Sequence, residues 1–210
     1  MSSYINNMFF GYLLPNITVG GCISIYENAF PNTDHTISAI EQECVNPDSV
    51  VKFQKAETIG YGITQTHRTN YSLDITYAAQ SGNQNCQDVH NQTYALLLAT
   101  TIPYANKMNM GEQMYHENYK MLKYPVDTEY KKHYDGATAS GRCISAIAYL
   151  NDDYEGGEIE FPNFEIKIKP KAGMLVLFPS NYAYAHIAHS VTKGTKYAIV
   201  TWIHDRPTSS

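Results

Sequence analysis

Between Met114 and His204 the chain reads as short alternating segments cut by turns, and this pattern constrains the fold more than any other feature. Tyr115–Tyr124 alternates, Pro125-Val126-Asp127 turns, and Tyr130–His133 returns. Cys143–Leu150 carries uncharged side chains on both faces, which places it in the middle of a sheet. After a turn at Asn151–Gly157 come Glu158–Pro162, Glu165–Lys169, Met174–Phe178, Ala183–Val191 and Lys196–His204. Short strands at such close spacing predict a sandwich or a barrel.

The first half is mixed. A Gly20-Gly21 turn leads into a strand at Cys22–Tyr26, closed by Asn28–Asn32. Ile37, Ile40 and Cys44 then recur at helical spacing, with Thr33 or Asp34 as cap and Asn46-Pro47 as stop. Val50–Tyr61 reads as extended, His67–Ile75 as a strand, and Ser81–Asn85 as a loop. A second helix is expected from about Gln87 to Thr101, with Val89, Thr93, Leu96, Leu97 and Thr100 on one stripe and Pro103 near its end. His90 lies off that stripe and reads as a surface residue. The expectation is a helix-bearing flank over 1–112 packed on a core over 113–207, within one globular domain, as suits 210 residues.

Composition narrows the classes. A net charge of -5 and a pI near 5.9 argue against general nucleic-acid binding. Met8–Leu14 is apolar but short, an ordered strand or packing arm, and no run reaches bilayer length. With no secretory apolar segment, and with Cys22, Cys44, Cys86 and Cys143 far apart and outside any C-x-x-C, reduced thiols in a soluble cytoplasmic protein are expected. Eighteen tyrosines suit strands whose side chains need an apolar body and a polar tip.

His133-Tyr134-Asp135 carries the chemistry. An imidazole and a carboxylate two residues apart on a strand project to one face, which is half of a metal site. His186 and His189 lie downstream in a strand-like region, and two histidines with one carboxylate are the ligand set of non-haem Fe(II) oxygenases. An isolated H-x-D triplet more often reads as a hydrogen-bonded surface pair. Periodicity leaves the third ligand open: a two-residue loop at Lys193-Gly194 puts His189 on the Lys196 face, whereas a three-residue loop with Gly194 left-handed puts His186 there. Gly136–Gly141 is a loop beside the site, suited to a lid or substrate contact, with Arg142 at its far hinge. His116 and His204 alternate with apolar neighbours and receive no ligand role. Phosphate-binding loops, nucleophile elbows and Cys/His zinc spacings do not occur in the sequence.

From about residue 121 to 205, the ordered set Tyr124, Tyr130, His133-Tyr134-Asp135, Gly141-Arg142-Cys143, Tyr149-Leu150-Asn151, Gly156-Gly157, Lys196 and Trp202 resembles the Fe(II)/2-oxoglutarate dioxygenases, and within them the prolyl 4-hydroxylase group. The resemblance implies a mainly β fold with supporting helices, the double-stranded β-helix of jelly-roll, cupin-like kind. It implies Fe(II) held by His133, Asp135 and His186, because in that group the metal histidine precedes the basic residue by ten positions, although proline is usual where Ser190 stands. Lys196 and Tyr149 would hold the distal carboxylate of 2-oxoglutarate. Tyr124 would touch cosubstrate or substrate, Tyr130 would pack beside His133, Trp202 would line the pocket, and Arg142 would meet substrate at the rim. Gly156-Gly157 reads as turn punctuation. The implied reaction consumes O2 and 2-oxoglutarate, releases succinate and CO2, hydroxylates an unactivated C–H bond, and uses ascorbate to keep iron reduced. The implied partner is a peptide or protein containing proline, in an extended or polyproline-like segment. A free amino acid or other small molecule, and a jelly-roll binding protein without chemistry, are the alternatives. Residues 1 to about 110 match no motif.

Overall fold

The computed structural model describes residues 8–9, 11–56, 67–110, 114–136 and 141–205. Its strands, in chain order, are β1 (Met8–Phe9), β2 (Tyr12–Leu13), β3 (Ile17–Val19), β4 (Ile23–Tyr26), β5 (Gln54–Lys55), β6 (Tyr71–Asp74), β7 (Tyr115–His116), β8 (Lys120–Tyr124) and β9 (Tyr130–His133). There follow β10 (Arg142–Tyr149), β11 (Glu155–Gly156), β12 (Ile159–Phe161), β13 (Ile166–Ile168), β14 (Leu175–Pro179), β15 (His186–Ala188), β16 (Val191–Lys193) and β17 (Lys196–His204). The helices are α1 (Thr33–Val45), α2 (Ile75–Gln80) and α3 (Gln84–Lys107).

The major sheet runs β3-β4-β14-β10-β17-β8-β6-β5, with β7 also on β17, and the minor sheet runs β13-β12-β15-β9. Every strand pairing is antiparallel. This is the expected double-stranded β-helix, with helices on its outer side. β3 to β6 come from the first 112 residues and lie in the same sheet as β8, β10, β14 and β17.

Strand alternation sorts the side chains into two cores. In β17 every residue is buried, yet the two faces differ. Tyr197, Ile199 and Ile203 pack outward with Ile144, Ala146, Ala148, Leu175 and Leu177 against Leu96, Leu97, Tyr104 and Ile40 of the helices. Ala198, Val200 and Trp202 face inward, between the sheets. Each large aliphatic side chain so buried contributes about 1.5–3 kcal/mol, and a strand covered on both faces is one that can carry a charged residue into a dry interior. Lys196 is that residue.

Several local expectations give way to tertiary contacts. The cap of α1 is not Thr33 or Asp34 but Asn32, held left-handed at φ 53° without a side-chain hydrogen bond. The second helix starts earlier, because the Asn83 side chain accepts from Cys86 N at 3.0 Å, and it runs through Pro103 to Lys107. An internal proline costs a helix about 3 kcal/mol. Here the turn beyond it is anchored by buried Tyr104, whose hydroxyl donates to the Cys22 carbonyl at 2.7 Å. The expected stripe is buried in full. His90 is half-buried against Tyr119, with ring centroids 4.8 Å apart. The strand expected over His67–Ile75 ends at Asp74, whose carboxylate caps α2 by accepting from Tyr77 N. The run Tyr115–Tyr124 is two strands, since Tyr119 turns its backbone to α2: its carbonyl accepts from Ile75 N and its N–H donates to Thr76 Oγ1.

At Lys193-Gly194 neither anticipated hairpin forms. β16 pairs with β11 rather than β17, so the loop does not set the face of the upstream histidines. That face is set by β15 pairing with β9, where His186 stands opposite His133.

A candidate metal centre facing a buried lysine

Residue pairing across the minor sheet assembles the first half of the site. His133 ends β9, Asp135 follows two residues on, and His186 opens β15 across from His133. One ligand atom from each lies within 4.8 Å of the other two. His133 Nε2 is 3.7 Å from Asp135 Oδ1, and His186 Nε2 is 3.9 Å from Asp135 Oδ2. No direct hydrogen bond closes these gaps, so three lone-pair donors converge on a common point.

The surroundings fix which atoms point inward. His133 Nδ1 donates to the Lys131 carbonyl at 2.7 Å and His186 Nδ1 to the Tyr184 carbonyl at 3.2 Å. A carbonyl can only accept, so both protons sit on Nδ1 and both Nε2 atoms are left as bases for a metal. Asp135 Oδ2 accepts from Ser145 Oγ at 2.6 Å, and Ser145 is tied in turn to Ser180 at 2.8 Å. Tyr130 stacks on the His133 ring at 3.4 Å, while Phe178 and Phe161 hold His186 at 4.8 and 5.8 Å.

Electrostatics agree with a ligand set. Burial, joined by the neighbouring His186, pushes His133 down to about 3 against the pull of Asp135, so it is a neutral imidazole at ordinary pH. Burial would raise Asp135, but His186, His133 and the Ser145 hydroxyl outweigh it and hold the carboxyl below its usual range. The buried Trp202 indole Nε1 finds no partner in full hydrogen-bond geometry among the described residues, yet it lies near enough to favour the charged Asp135. Two histidines and one carboxylate, with positions left open, fit Fe(II).

The same pocket is also lined by Lys196. This lysine is 2 % exposed, its Nζ donates to the Gly157 carbonyl at 2.7 Å, and it lies 5.0 Å from the Tyr124 ring centroid and 5.2 Å from that of Tyr149. Burial, helped by Lys169 and opposed by Glu158, pushes it down to about 7. A buried ammonium without a counter-anion is costly. The pocket therefore offers a strong site for a carboxylate.

Tyr124, Tyr149, Lys196 and Trp202 thus line one cavity together with His133, Asp135 and His186. Arg142 does not line it. Its guanidinium is held by Glu117 at 2.6 and 2.7 Å, lies 3.7 Å over the Trp202 ring, and reaches the Asp135 carbonyl at 3.4 Å. His204 donates from Nε2 to the same Glu117 at 2.7 Å, which gives that buried histidine a partner away from the metal site. His189 pairs with Glu160 at 2.6 Å. His116 is packed against Tyr119 and Tyr94, where burial lowers it to about 4. Within the loop beside the site, residues 137–140 lie outside the described residues.

Three contributors received no chemical role from sequence. Arg68, from the first half, lines the pocket and lies 4.7 Å over the Tyr130 ring, forming a column with His133. Ser145 and Gly157 act through a hydroxyl and a backbone carbonyl, groups that leave no motif. Arg68 could have been found from its place before a strand, but only by knowing that this strand joins the catalytic sheet.

Residues 119–204 match the profile of the 2OG-Fe(II) oxygenase superfamily. Human prolyl 3-hydroxylase 2 is 41 % identical over 66 residues, 29 % of this chain and 9 % of that protein. The probable prolyl 4-hydroxylase 9 of Arabidopsis thaliana is 28 % identical over 214 aligned positions, 87 % of this chain and 69 % of that protein. The chain spans less than a tenth of the first relative and about two thirds of the second. A Trichoplax adhaerens prolyl hydroxylase, solved with a hypoxia inducible factor peptide fragment, superposes with TM-score 0.69 at 20 % identity over 89 % of this chain and 84 % of that one. A Pseudomonas putida prolyl-4-hydroxylase does so with TM-score 0.61 at 22 % identity over 89 % and 94 %. These structures share the fold.

Proposed function

We propose, from the match of residues 119–204 to the 2OG-Fe(II) oxygenase superfamily, that the chain hydroxylates a prolyl residue of a peptide or protein, using Fe(II), 2-oxoglutarate and O2. The observation that carries this reading is the shared pocket: the His133, Asp135 and His186 donors at one end and the buried Lys196 cation at the other. A five-carbon keto-diacid suits such a span, with its keto-acid end toward the metal ligands and its distal carboxylate on Lys196.

Fe(II), when bound by His133, Asp135 and His186, supplies the oxidising chemistry that couples decarboxylation of 2-oxoglutarate to hydroxylation. The side chains do the rest. Lys196 binds the distal carboxylate, and the Tyr149 hydroxyl adds a hydrogen bond worth about 1.5–3 kcal/mol to a charged group. Tyr124 closes the pocket beside Lys196, and Tyr130 with Arg68 braces His133. Trp202 and the inward aliphatic residues exclude water around the reacting centre. Ascorbate serves as reductant in this reading.

Prolyl hydroxylation of a peptide is favoured over a free amino acid by the relatives named above, and the exposed Tyr134 and Tyr182 leave aromatic surface for a chain to lie on. A cytoplasmic setting suits the four free cysteines, and among the described residues no helix is long and apolar enough to cross a membrane. The test is an anaerobic titration with Fe(II) and then 2-oxoglutarate, followed by a screen of proline-rich peptides against free proline for succinate release. A weak visible charge-transfer band and peptide-dependent turnover are expected. Absence of the band in folded protein leaves a binding module without the chemistry, and turnover on free proline alone selects the small-molecule reading.

A further inference from the structure

Behind the anion end of the pocket, outside its lining, stands a second lysine that the proposed reaction does not use. Lys169 immediately follows β13 and precedes Pro170. Its Nζ donates to the Tyr154 carbonyl at 3.1 Å and also to the Gly156 carbonyl, and it lies 4.2 Å over the Tyr154 ring. On the inner side, Gly157 crosses the same ring so closely that a Cβ there would meet Tyr154 Cε2 at 2.8 Å and Lys196 Cδ at 3.2 Å. The Gly157 carbonyl then accepts from Lys196 Nζ. Lys169, Tyr154, Gly156-Gly157 and Lys196 form one continuous column. Consecutive carbonyls of one turn are each held by a different lysine.

We propose that Lys169 is a positioning residue for 2-oxoglutarate: it clamps the Gly156-Gly157 turn and, through that turn and its own charge, sets the place and the charge of Lys196. The inference rests on the reading of Lys196 as the cosubstrate anchor. Lys169 is itself exposed on the outer side of the turn, and from there its positive charge weakens the charged form of buried Lys196. Among the described residues, the charged or titratable groups around Lys196 are Lys169, Glu158, Tyr124, Tyr149 and Tyr154; of the two charged ones only Glu158 favours the ammonium, and the Tyr124 and Tyr149 rings add weak cation–π attraction. An arriving carboxylate changes that balance, because it pairs with Lys196 directly. The column therefore keeps the lysine in position for the anion yet unsatisfied until the anion arrives, with the Gly157 carbonyl as its resting partner.

The experiment is calorimetric titration of the anaerobic Fe(II)-loaded protein with 2-oxoglutarate from about pH 6 to about pH 9.5, with Lys169→Met and Lys169→Arg beside the intact chain. In the intact protein, affinity should hold below about pH 7 and fall above it, as binding must then recruit a proton. Lys169→Met should move that break upward by on the order of one pH unit, and Lys169→Arg should leave it in place. An unmoved break in Lys169→Met, whatever its affinity, overturns the proposal and makes Lys169 a structural clamp. Should the methionine variant not fold, Lys169→Gln keeps a donor for Gly156 and is read in the same way. Failure of the intact protein to bind 2-oxoglutarate would instead overturn the reading of Lys196.

Discussion

The two ends of the pocket are built on opposite principles. At the metal end, every ligand is provided for before any ligand arrives: each Nδ1 has a carbonyl, Asp135 has Ser145, and one negative charge is shared between two histidines. At the anion end, a buried cation rests on a single backbone carbonyl, with a second lysine nearby. The metal end is preorganised and electrically settled. The anion end is preorganised in shape but unsettled in charge, so its ligand supplies what the fold lacks. Geometry therefore limits binding at one end and electrostatics at the other.

The sharpest break of this comparison is His186→Ala against His189→Ala. The first should abolish the Fe(II)/2-oxoglutarate absorption band, and the second should leave it, because His189 is occupied with Glu160. A band that survives His186→Ala would show that His186 does not hold the metal. Next in size is Lys196→Met, expected to weaken 2-oxoglutarate on the order of 100-fold, as loss of a charged hydrogen bond in a dry site predicts. It should also change stability in the opposite sense from a ligand-set mutation. Lys196 is depressed to about 7 in the folded chain and ordinary when unfolded. Between about pH 7 and 10.5 the unfolded chain binds the extra proton, so stability of the intact protein without cosubstrate rises with pH, by at most about 1.4 kcal/mol per pH unit. Denaturation of Lys196→Met should lack that rise, and a rise of equal slope in both would show that the charge at 196 is not the source.

The same contrast explains what could be read from sequence. His133 and Asp135 lie two residues apart at the end of β9, so their convergence is local and legible; β10, β14 and β17 were legible as short uncharged or apolar runs bounded by turns, and they are buried almost throughout. The choice between His186 and His189 was beyond periodicity, because the loop thought to decide it does not pair β16 with β17 at all. His186 is brought beside His133 and Asp135 by β15 against β9, a contact more than fifty residues apart. The anion end was legible as far as Lys196, Tyr149 and Tyr124. Gly157 contributes a carbonyl, which every residue has, and Lys169 contributes through a turn whose partners are strands apart. Pro103 and Asn32 misled for a related reason, as packing overrode local helix rules at both.

Smaller effects sharpen the metal end. Ser145→Ala removes the hydroxyl that orients Asp135, and outer partners of metal ligands are worth about 10–100-fold in metal affinity. A loss near the lower figure is expected, because Ser180 remains beside the site. It should appear in Fe(II) titrations as weaker binding, with 2-oxoglutarate affinity at saturating metal unchanged. Equal loss at both would mean that the two ends are mechanically coupled.

The smallest expected effect is at Glu117, and it tests where Arg142 belongs. Burial would raise this carboxyl, but the Arg142 and His204 contacts hold it below its usual range, so it is an anion fixing a guanidinium flat on Trp202. Arg142 therefore has a carboxylate partner where Lys196 has a backbone carbonyl, and it belongs in kind to the settled end. Glu117→Gln keeps the shape and removes the charge. If the stacked arginine shapes the substrate rim through Trp202, KM for a proline-containing peptide should rise a few-fold with kcat and Fe(II) affinity nearly unchanged, the signature of lost uniform binding. If KM falls instead, Glu117 has been competing with the substrate for the guanidinium, and Arg142 is a second cation held in reserve, which would move it to the other side of the comparison.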